Sequence, residues 1–169
     1  MAIPDGKLYD DGQLSPGSIA TTEPVTINTE NAGALINYGV AVVLQDGKVV
    51  PATGGPIYGV ALKRSYVNAD HFTEDDSKQD HWENGETLGV LRDGTIAVPI
   101  TTDVIRGESA AVDASGGFKT ASVNDRVVGI FLSDGEKGGT ASLQTRVQWP
   151  EKQAENTTAT SVSGNTEQQ

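Results

Sequence analysis

The sequence contains no cysteine, and it has only two histidines and two tryptophans. The absence of cysteine excludes a disulfide framework and a thiolate metal site. Aromatic residues make up 5% of the 169 residues and apolar residues 36%. We therefore expect a small hydrophobic core and some chain that lies outside it.

Positive charge is also scarce, because 12 Lys and Arg stand against 23 Asp and Glu, for a net charge of −11. Nucleic acid and anionic membrane surfaces bind clustered basic residues, so neither is an expected partner. The N-terminal residues MAIPDGKLYDDG lack the basic and apolar regions of a signal peptide, and no run approaches the ~18 apolar residues of a membrane span. We expect synthesis in the cytoplasm.

Residues that favour extended backbone are abundant, with 17 Val and 17 Thr against 9 Leu. β-branched side chains fit a pleated strand better than a helix. Twenty Gly and seven Pro separate short apolar runs, and no long stretch has the spacing of an amphipathic helix. The composition predicts an all-β fold, a small antiparallel β-barrel or sandwich built from hairpins.

Two Asp-Gly pairs, at 46–47 and 93–94, each lie between strand-like runs. Asp-Gly favours a type I′ turn, in which both central residues have positive φ. The sequence therefore predicts two tight hairpins, which place opposite each other Leu44 and Val49, and Leu91 and Ile96. Looser turns are predicted at 115–117 and 133–139.

One stretch of sequence occurs twice, at 39–62 and at 107–132. The segment YGVAL at 58–62 aligns with VGIFL at 128–132, and the turn at 46–47 aligns with the turn at 115–117. Each copy reads as strand, turn, strand, loop, strand. This pattern predicts two small β units that share one core.

The remaining chain divides into three parts around a β domain at 24–150. Residues 1–23 hold turn signals and isolated apolar side chains, and we predict an extended N-terminal arm. Residues 63–84 are polar and interrupt the β pattern as a long surface excursion. Residues 151–169 have almost no apolar content, which predicts a disordered tail.

The histidines, His71 and His81, both lie in the acidic excursion. Their spacing matches no compact ligand pattern, and the chain has no Gly-x-Ser-x-Gly nucleophile elbow. We predict no enzyme activity, no catalytic residue, no metal site and no cofactor. Two rival hypotheses remain: a hydrolase or metal enzyme that uses these histidines and the nearby acids, and a β module that binds a ligand such as carbohydrate.

The phrases GVAVVLQDGKVVPATGGPIYGVAL and GETLGVLRDGTIAVPI resemble sequences of the head decoration, or capsid cement, proteins of tailed bacteriophages. Those proteins are short, acidic, all-β and free of cysteine. The resemblance spans 33–148, with matching positions at 39–44, 47–50, 57–62, 85–90 and 94–98 and a partial second set at 107–132.

This resemblance implies a structural virion protein on the outer capsid surface that binds the major coat protein and stabilises the head, as a homotrimer or other homo-oligomer. A head-fibre protein attached to the virion is the alternative. Decoration proteins often carry an arm that orders on the capsid, and aromatic side chains dominate many interfaces. The candidate contacts are therefore the apolar residues of the arm and the aromatic residues of the excursion: Ile3, Leu8, Tyr9, Leu14, Ile19, Tyr66, Phe72 and Trp82.

Overall fold

The computed structural model describes residues 14–65 and 80–147, which contain strands, turns and loops but no helix. The all-β prediction is confirmed. No helix in these residues is long and apolar enough to cross a membrane. The strands are β1 (Thr26–Asn31), β2 (Ile36–Asn37), β3 (Ala41–Gln45), β4 (Lys48–Pro51), β5 (Gly59–Ala61), β6 (His81–Trp82), β7 (Thr87–Pro99), β8 (Ser109–Val112), β9 (Phe118–Thr120), β10 (Gly129–Phe131) and β11 (Thr140–Thr145).

One antiparallel sheet, curled as a half-barrel, contains most of these strands in the order β4-β3-β5-β7-β11-β10-β8-β9. β1 adds to one side of β7, and β2 pairs separately with β6. The buried side chains form two clusters within the curl. The larger cluster includes Phe118 and Phe131, and the smaller includes Ile36 and Trp82.

The first predicted hairpin is confirmed. β3 and β4 pair with Leu44 opposite Val49, and Asp46 and Gly47 between them have φ of 50° and 75°. These angles fit the type I′ turn that Asp-Gly favours. The turn at 115–117 likewise joins β8 to β9, and the turn at 133–139 joins β10 to β11.

The second predicted hairpin is wrong, because β7 runs through Asp93 and Gly94 as one 13-residue strand. Leu91 and Ile96 therefore do not face each other. β1 pairs with β7 up to Asp93, and β11 pairs with β7 from Gly94 onward. Two different partners thus continue along the same strand, and this pairing overrides the local preference for a turn.

The duplication is confirmed in the main-chain hydrogen bonds. β3 pairs with both β4 and β5, and β8 pairs with both β9 and β10. The same bonds recur at aligned positions, written here from amide to carbonyl: Gly39 to Ala61 and Gly107 to Phe131; Ala52 to Ala41 and Ala121 to Ser109; Tyr58 to Val42 and Val128 to Ala110; Leu62 to Gly89 and Leu132 to Ser142.

The structural duplication is longer than the sequence repeat. The amide of Ala32 donates to the carbonyl of Glu86, and the amide of Ile100 donates in the same way to Gly139. By this alignment β1 corresponds to residues 94–99, and residues 87–91 correspond to the end of β11. β7 therefore contains the last strand of the first copy and the first strand of the second, and Asp93-Gly94 is the junction between the copies.

The alignment also locates the acidic excursion. Leu62 and Gly85 of the first copy are equivalent to Leu132 and Gly138 of the second. The first pair is 23 positions apart and the second pair six. The excursion is thus an insertion in the first copy, at the turn that leads into its last strand.

Candidate functional site

Residues 14–20, the described part of the predicted arm, lie along β7 as an added strand. The amide of Gly17 donates to the carbonyl of Ala97 at 2.8 Å, and the amide of Ala97 donates to the carbonyl of Ser18 at 2.9 Å. The amide of Ala20 donates to the carbonyl of Thr95 at 2.9 Å. Main-chain hydrogen bonds therefore fix this segment to the central strand, independently of its side chains.

Close backbone contacts hold the same segment from a second direction. Gly17 has φ of 80°, and its carbonyl accepts a hydrogen bond from the amide of Lys63 at 3.0 Å. A Cβ on Gly39 would lie 2.7 Å from the nitrogen of Gly17 and 3.0 Å from Pro99. Side chains at these two glycines would separate the segment from the sheet, so both glycines support the docking.

The apolar side chains of the docked segment remain partly in solvent. Leu14 is 43% exposed and Ile19 is 40% exposed, although the backbone around them is held. The carbonyl of Leu14 accepts a hydrogen bond from Thr140 Oγ1 at 3.0 Å. Two candidate contacts are thus presented on a rigid support, at the place where the first 13 residues join the domain.

Trp82, in contrast, packs within its own domain. Its side chain is 3% exposed, and its indole N–H donates to the carbonyl of Leu62 at 2.8 Å. The ring of Tyr38 meets the indole edge-on at 5.8 Å between centroids, and the guanidinium of Arg64 lies 4.5 Å from the ring centroid. The indole closes the base of the insertion and presents almost no surface to a partner.

An ion pair supports this base. One guanidinium nitrogen of Arg64 lies 2.8 Å from each carboxylate oxygen of Glu86, and the amide of Glu83 donates to Glu86 Oε2 at 2.7 Å. Burial alone would raise the pKa of Glu86, but the Glu83 amide and the Arg64 guanidinium together lower it. Glu86 is therefore an ionised anchor for the two ends of the insertion.

His81 is held by two carboxylates, with Asp80 Oδ1 3.2 Å from Nδ1 and Glu83 Oε1 3.1 Å from Nε2. The hydrogen bond with Asp80, opposed by burial and aided by Glu83, raises the pKa of His81. Both ring nitrogens have acidic partners, so neither is placed to act as a base toward a serine. Within 14–65 and 80–147 no three His, Cys, Asp or Glu side chains form a metal-binding group; His71 lies outside these residues.

Of the candidate contacts, only Leu14, Ile19 and Trp82 fall in the described ranges. The sequence did not reveal the role of Gly17 and Gly39, and the Pro16-Gly17 pair was the one available signal. The other candidates, and the tail at 151–169, lie outside the described residues: Ile3, Leu8, Tyr9, Tyr66 and Phe72.

The solved structures similar to this one come from bacteriophage particles. One chain is from "The capsid of Myoviridae Phage XM1", with a TM-score of 0.56 and 12% identity over 86% of this chain and 98% of that one. Another is from "The crystal structure of head fiber gp8.5 N base in bacteriophage phi29", with a TM-score of 0.45 and 12% identity over 76% of this chain and 100% of that one. No curated protein sequence matches the chain.

A family model matches most of the chain, over residues 8–146, and it is described as "Structural cement protein (E217 gp24/Pam3 gp6)". The match covers both copies of the duplication, the docked segment and the insertion. The chain therefore belongs to this family of structural cement proteins, and it is a structural protein of the virion that binds the capsid and stabilises it.

Proposed function

We propose that the protein binds the outer surface of the capsid as a homotrimer or other homo-oligomer and links neighbouring coat subunits without catalysing a reaction. The observation that carries this proposal is the docked segment at 14–20. It is fixed to β7 by main-chain hydrogen bonds, and it holds Leu14 and Ile19 in solvent beside the start of the arm.

The architecture suits a mechanical role. A clamp transmits force between subunits only if it deforms less than the contact that it reinforces. Here antiparallel strands with short connections form one sheet, and β7 joins the two copies without a linker. The paired strands resist stretching because several hydrogen bonds must break together.

The charge favours the outside of the shell. A chain with a net charge of −11 placed inside a full head would face densely packed phosphate groups, and the repulsion would oppose binding. On the outside the same charge keeps decorated particles apart in solution. We therefore assign the protein to the outer surface.

The contacts that we assign to the capsid are Leu14 and Ile19 in the docked segment, with Ile3, Leu8 and Tyr9 preceding them and Tyr66 and Phe72 in the insertion. Trp82 is left out because its indole is occupied within the domain. Many copies on a lattice give avidity, so each individual contact needs only modest affinity.

Binding to undecorated, expanded heads tests this proposal. The single substitutions Leu14→Asp and Ile19→Asp replace apolar contacts with charge, and each should weaken co-sedimentation with heads by about tenfold or more. Val123→Asp is the matched control, because Val123 is fully exposed in a loop elsewhere and should bind as the unmodified protein does. Equal binding by all four proteins would contradict the proposed contact surface.

A further inference from the structure

The two copies differ at the outer edge of their first strands. In the second copy this strand is 94–99, and its outer edge is covered by 17–20 through bonds to Ala97 and Thr95. In the first copy the strand is β1, and its equivalent positions are Thr29 and Ile27. Within 14–65 and 80–147 the only strand paired with β1 is β7, on the inner side.

The free edge has hydrogen-bonding groups that point outward. In an antiparallel pair, residues that exchange bonds alternate with residues whose amide and carbonyl point away. Thr29 faces Gly89, and the carbonyl of Gly89 is turned toward the amide of Leu62 on the β5 side. Thr29 and Gly89 are therefore a pair without mutual bonds, so the amide and carbonyl of Thr29 point outward, as those of Ala97 do toward the docked segment.

The exposure of the two edges follows the same difference. Thr95 and Ala97 are 5% and 2% exposed beneath the docked segment, whereas Ile27 is 41% exposed and Thr29 is also exposed. Exposed edge strands usually carry Lys or Pro, which discourage pairing with another chain. β1, with the sequence TINTEN, carries neither. Its single acid, Glu30, accepts a hydrogen bond from the hydroxyl of Tyr58.

We propose that the outer edge of β1 binds an extended segment from the first 13 residues of a second copy of this chain. The segment pairs antiparallel to β1 and bonds to Thr29 and Ile27, as 17–20 bonds to Ala97 and Thr95. The result is a continuous sheet across two copies. This adds main-chain hydrogen bonds to the interface, and pairing of this kind tolerates many side chains.

A second copy is the better donor because of where the arm begins. Leu14 is held at Thr140, which lies opposite Pro99 at the end of β7 far from Gly89, the partner of Thr29. That distance along β7 is ten residues, or about 33 Å. Thirteen extended residues span at most ~45 Å, so a chain reaching its own β1 keeps only about three residues for pairing. A neighbouring copy has no such restriction.

Amide hydrogen exchange of the full chain, measured by NMR at about 1 mM and after dilution to about 10 μM, tests the pairing without heads, so its failure leaves head binding untouched. We expect the amide of Thr29 to be protected at the high concentration and to exchange at least about tenfold faster after dilution. The amide of Ala97, bonded to Ser18 of its own chain, is the internal control and stays protected. Protection of Thr29 at both concentrations, or at neither, overturns the proposal.

Cross-linking identifies the donor segment, since the natural chain has no cysteine. A Thr29→Cys chain is mixed under oxidising conditions with a Leu8→Cys chain, with an Ile3→Cys chain, or with the control Val123→Cys chain. A disulfide between two different variants is intermolecular by construction. Disulfide yield well above the control for Leu8→Cys or Ile3→Cys supports the proposal, and yields no higher than the control for both overturn it.

Discussion

The indole N–H of Trp82 donates a 2.8 Å hydrogen bond to the carbonyl of Leu62, and this bond joins the two ends of the insertion. The equivalent of Trp82 in the second copy is Gly135, where the connection is a short turn. The first copy thus uses a buried aromatic ring to close a longer excursion over the core.

Replacement of Trp82 tests this role. Trp82→Ala removes a 3%-exposed side chain and its contacts with Tyr38 and Arg64, and it should lower the free energy of unfolding by about 3–5 kcal/mol. Trp82→Phe keeps most of the apolar contact but loses the bond to Leu62, and it should cost less. Urea unfolding measures both, and a Trp82→Ala cost below that of Trp82→Phe would contradict this role.

Gly59 and Gly129 occupy equivalent positions, and a Cβ at either one would collide with the carbonyl oxygen of the facing strand, at Leu91 and Gln144 respectively. Gly59→Ala and Gly129→Ala should each lower the free energy of unfolding by about 1–3 kcal/mol, because the strands must separate to admit the methyl group. Gly54→Ala is the control, since a Cβ at Gly54 would have no neighbouring atom within 4 Å. Similar thermal stability for all three variants would show that the close approach of the strands is unimportant.

Asp113 organises the turn between β8 and β9. Its Oδ1 accepts bonds from the amides of Ser115 and Gly117 at 2.8 and 3.1 Å and from Ser115 Oγ at 2.6 Å. Burial alone would raise the pKa of Asp113, but these bonds and one with Thr101 lower it. Asp113→Ala should cost about 1–3 kcal/mol at neutral pH, measured by urea unfolding, while Asp113→Asn keeps an acceptor and should cost less.

The pH dependence of the Asp113 contribution follows from the lowered pKa. The stabilisation is fully present above the ordinary aspartate value of 3.8, and it is lost as pH falls through the lower folded value. The stability gap between the natural chain and Asp113→Ala should therefore shrink below about pH 4. A gap that stays constant down to about pH 2 would show that the ionised carboxylate does not supply the stabilisation.

His81 has the opposite dependence. Its pKa is raised above 6.5, so the folded state binds the proton more tightly than the unfolded state does. The stabilisation is present below pH 6.5 and is lost as pH rises through the folded value. Because this side chain is close to the surface, we expect an effect below ~1 kcal/mol. NMR titration of the ring measures the shift directly, and a His81 pKa at or below 6.5 would contradict it.

Local turn chemistry predicted the first hairpin, because the conformation of Asp46 and Gly47 depends mainly on those two residues. The same reasoning failed at Asp93-Gly94, where β1 and β11 pair with successive halves of β7 and keep it extended. The repeat was visible in sequence only where Gly and Val coincide. The match of β1 with 94–99 was not visible, since TINTEN and GTIAVP share a backbone arrangement but few residues.

Apolar side chains in the arm could be recognised from the sequence, but their setting could not. Leu14 and Ile19 stood out because they have no place in a strand pattern. Their support on β7 depends on contacts of Gly17 with Ala97 and Lys63, which lie far along the chain. The burial of Trp82 also depends on residues from separate segments, so spacing alone did not distinguish it from a surface aromatic.

The most direct test adds the purified protein to expanded heads that lack it, followed by imaging and by measurement of the temperature at which the heads release their DNA. We expect new density on the outer face of the shell, above neighbouring coat subunits, and a higher release temperature. Heads with no added density and an unchanged release temperature would contradict the assignment of this chain as a cement that acts on the capsid exterior.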